Sequence, residues 1–229
     1  KKEEIITFLS QFIIWDIERI ERSRYIPTYL EKTAKFNLSC ELLNKKTEVT
    51  LKGKIDRIDI KTAESIVHFQ VIDYKSGRYL KENLVKSAIR GQKFQLPFYI
   101  IMAEHILTAE SRNGCISQSR AQLHEASLVY VAQHTSNEVI PEETITEDAW
   151  KDHGDQCWET LQEFLHSIRD GIFPTTPGED TQKCEWCEFS TICRRSFPPM
   201  RFRLEHDTRL KNYREIIKRD TNKKSKKSE

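Results

Sequence analysis

No stretch of this sequence is apolar for long enough to span a bilayer, and none has the layout of a signal peptide. Nothing points to a helical membrane protein or a secreted one, and a cytoplasmic location is the default expectation. A large excess of one charge is also missing, because 37 Lys and Arg face 35 Asp and Glu. What imbalance exists is local: Arg209 to Glu229 holds nine basic and three acidic residues, so only the tail is basic and the body is slightly acidic. Cysteine is scarce, at six residues, and no histidine precedes His68. There is no internal repeat and no linker rich in Pro, Gly and Ser, which argues against a repeat array and against a split into two domains.

What is present is a globular composition, 38% apolar and 31% charged over 229 residues, enough for one core with appendages. The sequence opens on Lys1 and runs straight into a helical pattern, so a piece of a longer polypeptide is expected. Ile5, Leu9, Phe12, Ile13, Ile17 and Ile20 form one stripe, which predicts an amphipathic helix over 3–23 that covers a sheet. Pro27 ends it, and 28–43, 47–61 and 66–75 read as successive strands. Helical pattern resumes over 82–107 with a break near Gly91, followed by a strand over 125–133. A last long helix is predicted over 147–170, with Thr144 and Glu147 at capping-box spacing and Gly171 at its end. That order fits an α/β domain with a mixed central sheet.

Charges enter the apolar faces of two of these strands. On the two-residue period of a strand, Asp56 in Gly53-Lys54-Ile55-Asp56-Arg57-Ile58-Asp59 shares a face with Ile58 and Ile60. Asp73 and Lys75 in Val71-Ile72-Asp73-Tyr74-Lys75-Ser76-Gly77 share one with Val67, Phe69 and Val71. Ionised groups on buried faces are costly unless paired or bound to a metal, so the two strand ends mark a site. Two aspartates on adjacent strands suit a hard divalent cation, and a lysine two residues on can orient or deprotonate a water. Asp59 falls with Arg57 and Lys61, which predicts a surface or arginine-paired role. On the next helix Gln95 and Tyr99 stand four apart and share a face, with Gln92 one turn earlier, and Pro97 is expected to bend that helix.

The ordered set of Gly-x-x-Asp-Arg-Ile-Asp, Asp73-Tyr74-Lys75-Ser76-Gly77 and Gln95-Leu96-Pro97-Phe98-Tyr99 resembles the PD-(D/E)XK nuclease superfamily. It is most similar to the RecB/AddB branch and the related CRISPR adaptation exonucleases. The resemblance implies a restriction-endonuclease-like mixed sheet flanked by helices. It further implies that Asp56, Asp73 and the backbone carbonyl of Tyr74 hold Mg²⁺ or Mn²⁺, that Lys75 activates water or steadies charge on a phosphate, and that Gln95 positions the nucleophile or the DNA backbone. Tyr99 either joins Gln95 in that task or ties the helix to the sheet. Glu31 resembles the acidic residue that often precedes the first strand in such nucleases, and Glu18 and Glu21 are weaker candidates for a further metal ligand. A DNA groove would draw on Lys75, Arg78, Lys81, Arg90 and Lys93, extended by Arg194 and Arg195.

Cys184, Cys187 and Cys193 make a C-x2-C-x5-C loop within 174–195, and thiols this close in an intracellular chain read as soft-metal ligands before disulfides. The stretch resembles the iron–sulfur loop that closes AddB-type and CRISPR-type nuclease domains. There a fourth, upstream cysteine completes a [4Fe-4S] cluster. Cys40, Cys115 and Cys157 each read as packed or surface residues, which puts the expected fourth ligand before Lys1 and leaves a cluster, zinc or an empty loop as alternatives. The sequence therefore predicts a nuclease domain over 1–200 and a basic tail, partly disordered, over 201–229. The function expected is that of a metal-dependent DNA exonuclease in double-strand break processing, partnered with DNA and a helicase domain or subunit. The alternatives are a catalytically silent DNA-binding or assembly module and a stand-alone nuclease of the CRISPR adaptation kind.

Overall fold

A computed structural model of the chain describes residues 2–42, 45–63, 66–79, 81–112, 120–131, 140–174, 184, 187–193 and 198–220. Helix α1 (Lys2–Ser23) leads into three strands, β1 (Ile26–Leu42), β2 (Lys45–Ala63) and β3 (Ile66–Lys75). Helices α2 (Leu84–Ile89) and α3 (Gln95–Arg112) then carry the chain across the sheet to β4 (Arg120–Tyr130) and β5 (Glu142–Thr146). Helix α4 (Glu147–Arg169) follows, and near the end α5 (Pro198–His206) and α6 (Lys211–Ile217) flank a short 3-10 turn.

The strands lie in the order β1-β2-β3-β4-β5, antiparallel except for the parallel pair β3 and β4. A parallel pair needs a crossover, and α2 with α3 supplies it. The central strand β3 is therefore covered on both faces. On one, Val67, Phe69 and Val71 join Ile58, Ile100, Met102, Ala103 and Leu107 in the main core. Gly53 lets α3 close on β2 there, because a Cβ at that position would come within 2.7 Å of the Met102 sulfur. On the other face Ile72, Val129 and Ile140 meet Phe12 and Trp15 of α1.

Several expectations are corrected. The aliphatic stripe of α1 points outward: Ile5, Leu9, Ile13 and Ile17 are each at least 50% exposed. The reason lies in the sheet beneath, whose back face carries Arg57, Asp59, Gln70 and Glu125. Helix α1 meets that polar floor with Asp16 and Arg19 beside its two aromatics. Strand β5 was not anticipated, and Thr144 sits inside it, 2.9 Å from the Ser127 hydroxyl. The cap of α4 is Thr146, whose hydroxyl accepts the Ala149 N–H. Pro97 falls in the first turn of α3, where its missing N–H has no helical partner to lose. Gln92 lies in the turn before α3, not on its face.

Within the expected tail of 201–229, the stretch from Lys211 to Arg219 folds back against α4. Leu210 and Ile216 are buried, and the Arg219 guanidinium donates to the Gln156 carbonyl at 2.7 Å and the Thr160 hydroxyl at 2.9 Å. Residues 221–229 of that tail lie outside the described residues.

Gly91 between α2 and α3 has φ +73°, and a Cβ there would stand 2.5 Å from the Phe164 ring. Gly91→Ala is expected to lower the unfolding free energy by about 1–3 kcal/mol in a urea titration. Gly77→Ala, with open space around it, should stay within about 0.5 kcal/mol of the parent.

Candidate active site

The site grows from an irregularity in β2. Leu51 and Ile55 enter the same core cluster as Ile58 and Ile60, which a strict two-residue period forbids, so the side-chain alternation shifts by one between Ile55 and Ile58. Beside this stretch the β1 pairing slips between Pro27 and Tyr29, and Glu31 adopts φ +51°. Asp56 and Arg57 occupy the shift. The ladder between β2 and β3 ends at Arg57 opposite Ile72, and just beyond it the Tyr74 N–H donates to Asp56 Oδ2 at 3.0 Å. The parting of two strands has freed a backbone donor, and the carboxylate takes it.

Asp73, Lys75 and Gln95 close a ring at the C-terminal end of β3. Lys75 Nζ lies 2.5 Å from Asp73 Oδ2 and donates to Gln95 Oε1 at 2.7 Å. Gln95 Nε2 donates to Asp73 Oδ1 at 2.8 Å and to the Tyr99 hydroxyl at 3.1 Å. Helix α3 thus presents Gln95 and Tyr99 from its first two turns to the end of the strand that carries Asp73. The Asp73 carboxyl is pushed above the usual carboxylate range by burial, with Lys75 opposing and the like charge of Asp56 adding to the rise.

The oxygens here fit a hard divalent cation. Asp73 Oδ2 is buried and its partner is the Lys75 ammonium, so this oxygen already holds a positive charge against it. Two carboxylates and the Tyr74 carbonyl would make up the protein's share of the ligands. Among the described residues no group of three or more Asp, Glu, His or Cys side chains is placed to hold a metal.

The other candidates are differently engaged. Glu31 is exposed and pairs with Lys54. Glu18 and Glu21 lie exposed on α1, over the face of the sheet opposite Asp73. Arg78 is exposed in the turn after β3, whereas Arg90 donates to the Arg219 carbonyl at 2.7 Å and Lys93 pairs with Glu82 at 2.6 Å. Asp59 is arginine-paired but far from the surface, at 1% exposure, and Arg57 is buried with it. Glu143 had no signal at all in the sequence. It is buried on β5, accepts the Glu82 N–H at 2.5 Å and so pins the segment that follows the Asp73-x-Lys75 strand; burial holds its carboxyl above the ordinary range.

Cys184, Cys187 and Cys193 are half-buried and none is in a disulfide. Cys187 N–H meets the Cys184 carbonyl at 3.4 Å and Cys193 N–H donates to Phe189 at 2.8 Å, so the three follow one another in tight turns. Cys157 is buried against α2, and burial pushes its thiol up to about 12, which keeps it protonated. The Cys40 side chain and Cys115 lie outside the described residues, as do Arg194 and Arg195.

No curated protein matches the chain. A solved structure described as the crystal structure of SSO0001 is similar over 82% of this chain and 67% of its own, at 16% identity and a TM-score of 0.33, too low to carry an argument. The family profile described as the PD-(D/E)XK nuclease superfamily matches residues 2–194. That span takes in the whole sheet, the Asp73-Lys75-Gln95 ring and the cysteine loop, and with its mixed five-stranded sheet flanked by helices this chain belongs to the PD-(D/E)XK nuclease superfamily.

Proposed function

We propose that this domain is a metal-dependent DNA exonuclease of the RecB/AddB kind, acting in the cytoplasm on DNA ends during double-strand break processing beside a helicase domain or subunit. The observation that carries the reading is the ring of Asp73, Lys75 and Gln95 with the Asp56 carboxylate beside it. Mg²⁺ or Mn²⁺ bound by Asp56, Asp73 and the Tyr74 carbonyl would polarise a phosphate oxygen and make a water more acidic. The chain's own part is positional and electrostatic. Lys75 stands partly in solvent with its ammonium on a buried carboxylate, where it can orient a water by donating to it and steady charge on the phosphate. Gln95 holds Lys75 through its oxygen and Asp73 through its nitrogen, which fixes the amide that faces the substrate. Arg78, exposed just past the strand end, would contact a backbone phosphate.

End-labelled linear DNA incubated with and without Mg²⁺ tests this. Mg²⁺-dependent release of short products from the ends is expected, with covalently closed circles spared. Cleavage of closed circles would overturn the exonuclease reading, and no cleavage of either would favour a silent DNA-binding module. The cysteine loop is proposed as a soft-metal clip in which Cys184, Cys187 and Cys193 act with one further ligand, a reading supported by their spacing and their three half-buried thiols. Elemental analysis of anaerobically purified protein should find iron or zinc that Cys187→Ser removes. Three titratable thiols and no metal would sink it.

A further inference from the structure

On the face of the sheet opposite Asp73, Arg57 is only 4% exposed, and all three of its side-chain nitrogens are engaged. Its Nε and Nη2 donate to the two oxygens of Asp59 at 2.6 and 2.7 Å, a bidentate fork. Its Nη1 donates to both oxygens of Asp16 on α1, at 2.9 and 2.7 Å, and to the Tyr74 hydroxyl at 3.0 Å. The Asp16 contacts account for a clip that holds α1 to the sheet. The Tyr74 contact does not, because Tyr74 belongs to β3 and its hydroxyl adds nothing to the hold on the helix.

What the Tyr74 contact does is close a loop across the two strands, beyond the point where their ladder stops. Asp56 precedes Arg57 in the chain. The Arg57 side chain grips the Tyr74 hydroxyl under the sheet, and the Tyr74 backbone N–H grips the Asp56 carboxylate at the strand end. Past the last paired residues, Arg57 and Ile72, these two bonds set the spacing between the Asp56 carboxylate and the backbone of Asp73, Tyr74 and Lys75. We propose that Arg57, locked by Asp16 and Asp59, is a positioning residue that acts through the Tyr74 hydroxyl to hold Asp56 and the Tyr74 carbonyl at the separation a divalent cation requires. This rests on the metal-nuclease reading and assigns to a buried charge cluster on the far face the tuning of metal affinity.

Substituting Arg57 itself would strand two carboxylates, so Tyr74→Phe is the informative change: it deletes the acceptor and keeps both the ring that meets Phe12 edge-on and the backbone. Calorimetric titration of the metal-free protein with Mn²⁺ alone should show the dissociation constant rising about tenfold, the size of effect that a lost hydrogen bond behind a metal ligand produces. The half-saturating Mn²⁺ for cleavage should rise in parallel. Trp15→Ala, which loosens α1 where its ring meets Phe12 and Arg19 and leaves the Tyr74 ring its Phe12 neighbour, should lower the thermal midpoint and leave the Mn²⁺ dissociation constant where it was. Unchanged Mn²⁺ binding in Tyr74→Phe would overturn the proposal, as would a shift in Trp15→Ala of the same size. A parent protein that binds no Mn²⁺, or binds it equally well as Asp73→Ala, would instead defeat the metal-site reading on which the proposal stands.

Discussion

Asp73→Ala is expected to slow cleavage of linear DNA at least about a thousandfold under single-turnover conditions. The substitution removes a carboxylate proposed to hold the metal and also the partner that Lys75 and Gln95 share, so two of the ring's three bonds are lost and only that between Lys75 and Gln95 remains. Lys75→Ala should cost about 10²–10⁴, the range for losing a positioned proton carrier or charge stabiliser. The two variants are separable by Mn²⁺ binding, which Asp73→Ala loses and Lys75→Ala keeps, since Lys75 supplies no metal ligand. Single-turnover rates within tenfold of the parent for Asp73→Ala would mean that the chemistry is elsewhere.

The second large effect is on stability. Arg57→Ala takes the bidentate partner from Asp59, at 1% exposure and left with Arg19 at 3.7 Å, and the guanidinium from the largely buried Asp16, and breaking a buried pair in this way costs about 3–5 kcal/mol. Burial opposes the Arg57 charge, yet Asp59 and Asp16 hold the guanidinium above the ordinary arginine range, so the arginine does not relieve the strain by losing its proton. Urea unfolding should show the loss as a lower midpoint at unchanged slope. Arg209→Ala, which breaks a solvent-exposed pair with Asp207, should leave the midpoint where it was. Equal behaviour of the two variants would show that the Arg57 cluster contributes little.

The parts of this domain that were legible in the sequence are those whose cause is local. Val67, Phe69, Val71 and Asp73 alternate down one strand, so the entry of a carboxylate into the core face could be read from residue order alone. Gln95 and Tyr99 share a helix face for the same reason, and the ring they form with Asp73 follows once α3 is laid against β3. Asp56 was reached by order, but its parity was misread in part. The alternation shifts between Ile55 and Ile58, and the shift accompanies a backbone irregularity in β1 that a hydrophobic pattern does not display.

Non-local causes stayed hidden. The Arg57 and Asp59 pair looked fit for a surface because nothing in β2 announces that Asp16 and Arg19 will arrive on a helix from the start of the chain. The same arrival turned the aliphatic stripe of α1 outward, against the usual rule that such a stripe faces inward. Strand β5 is five residues of Glu-Glu-Thr-Ile-Thr, which read as the approach to a helix. It becomes a strand through pairing with β4 and through the buried contact of Glu143 with the Glu82 N–H.

The depth of the Arg57 cluster has a consequence for how ionic strength acts on this molecule. Dissolved ions screen exposed charges beyond roughly 8–10 Å at ordinary salt, and each phosphate contact is weakened as counterions compete for it. Salt does not reach Arg57, Asp59 or the Asp73 carboxylate, all of which lie below the surface. On the proposed reading, raising the salt would strip nucleic acid from Arg78 and its neighbours while the strand ends keep their spacing, so the domain would shed its substrate with its site still assembled.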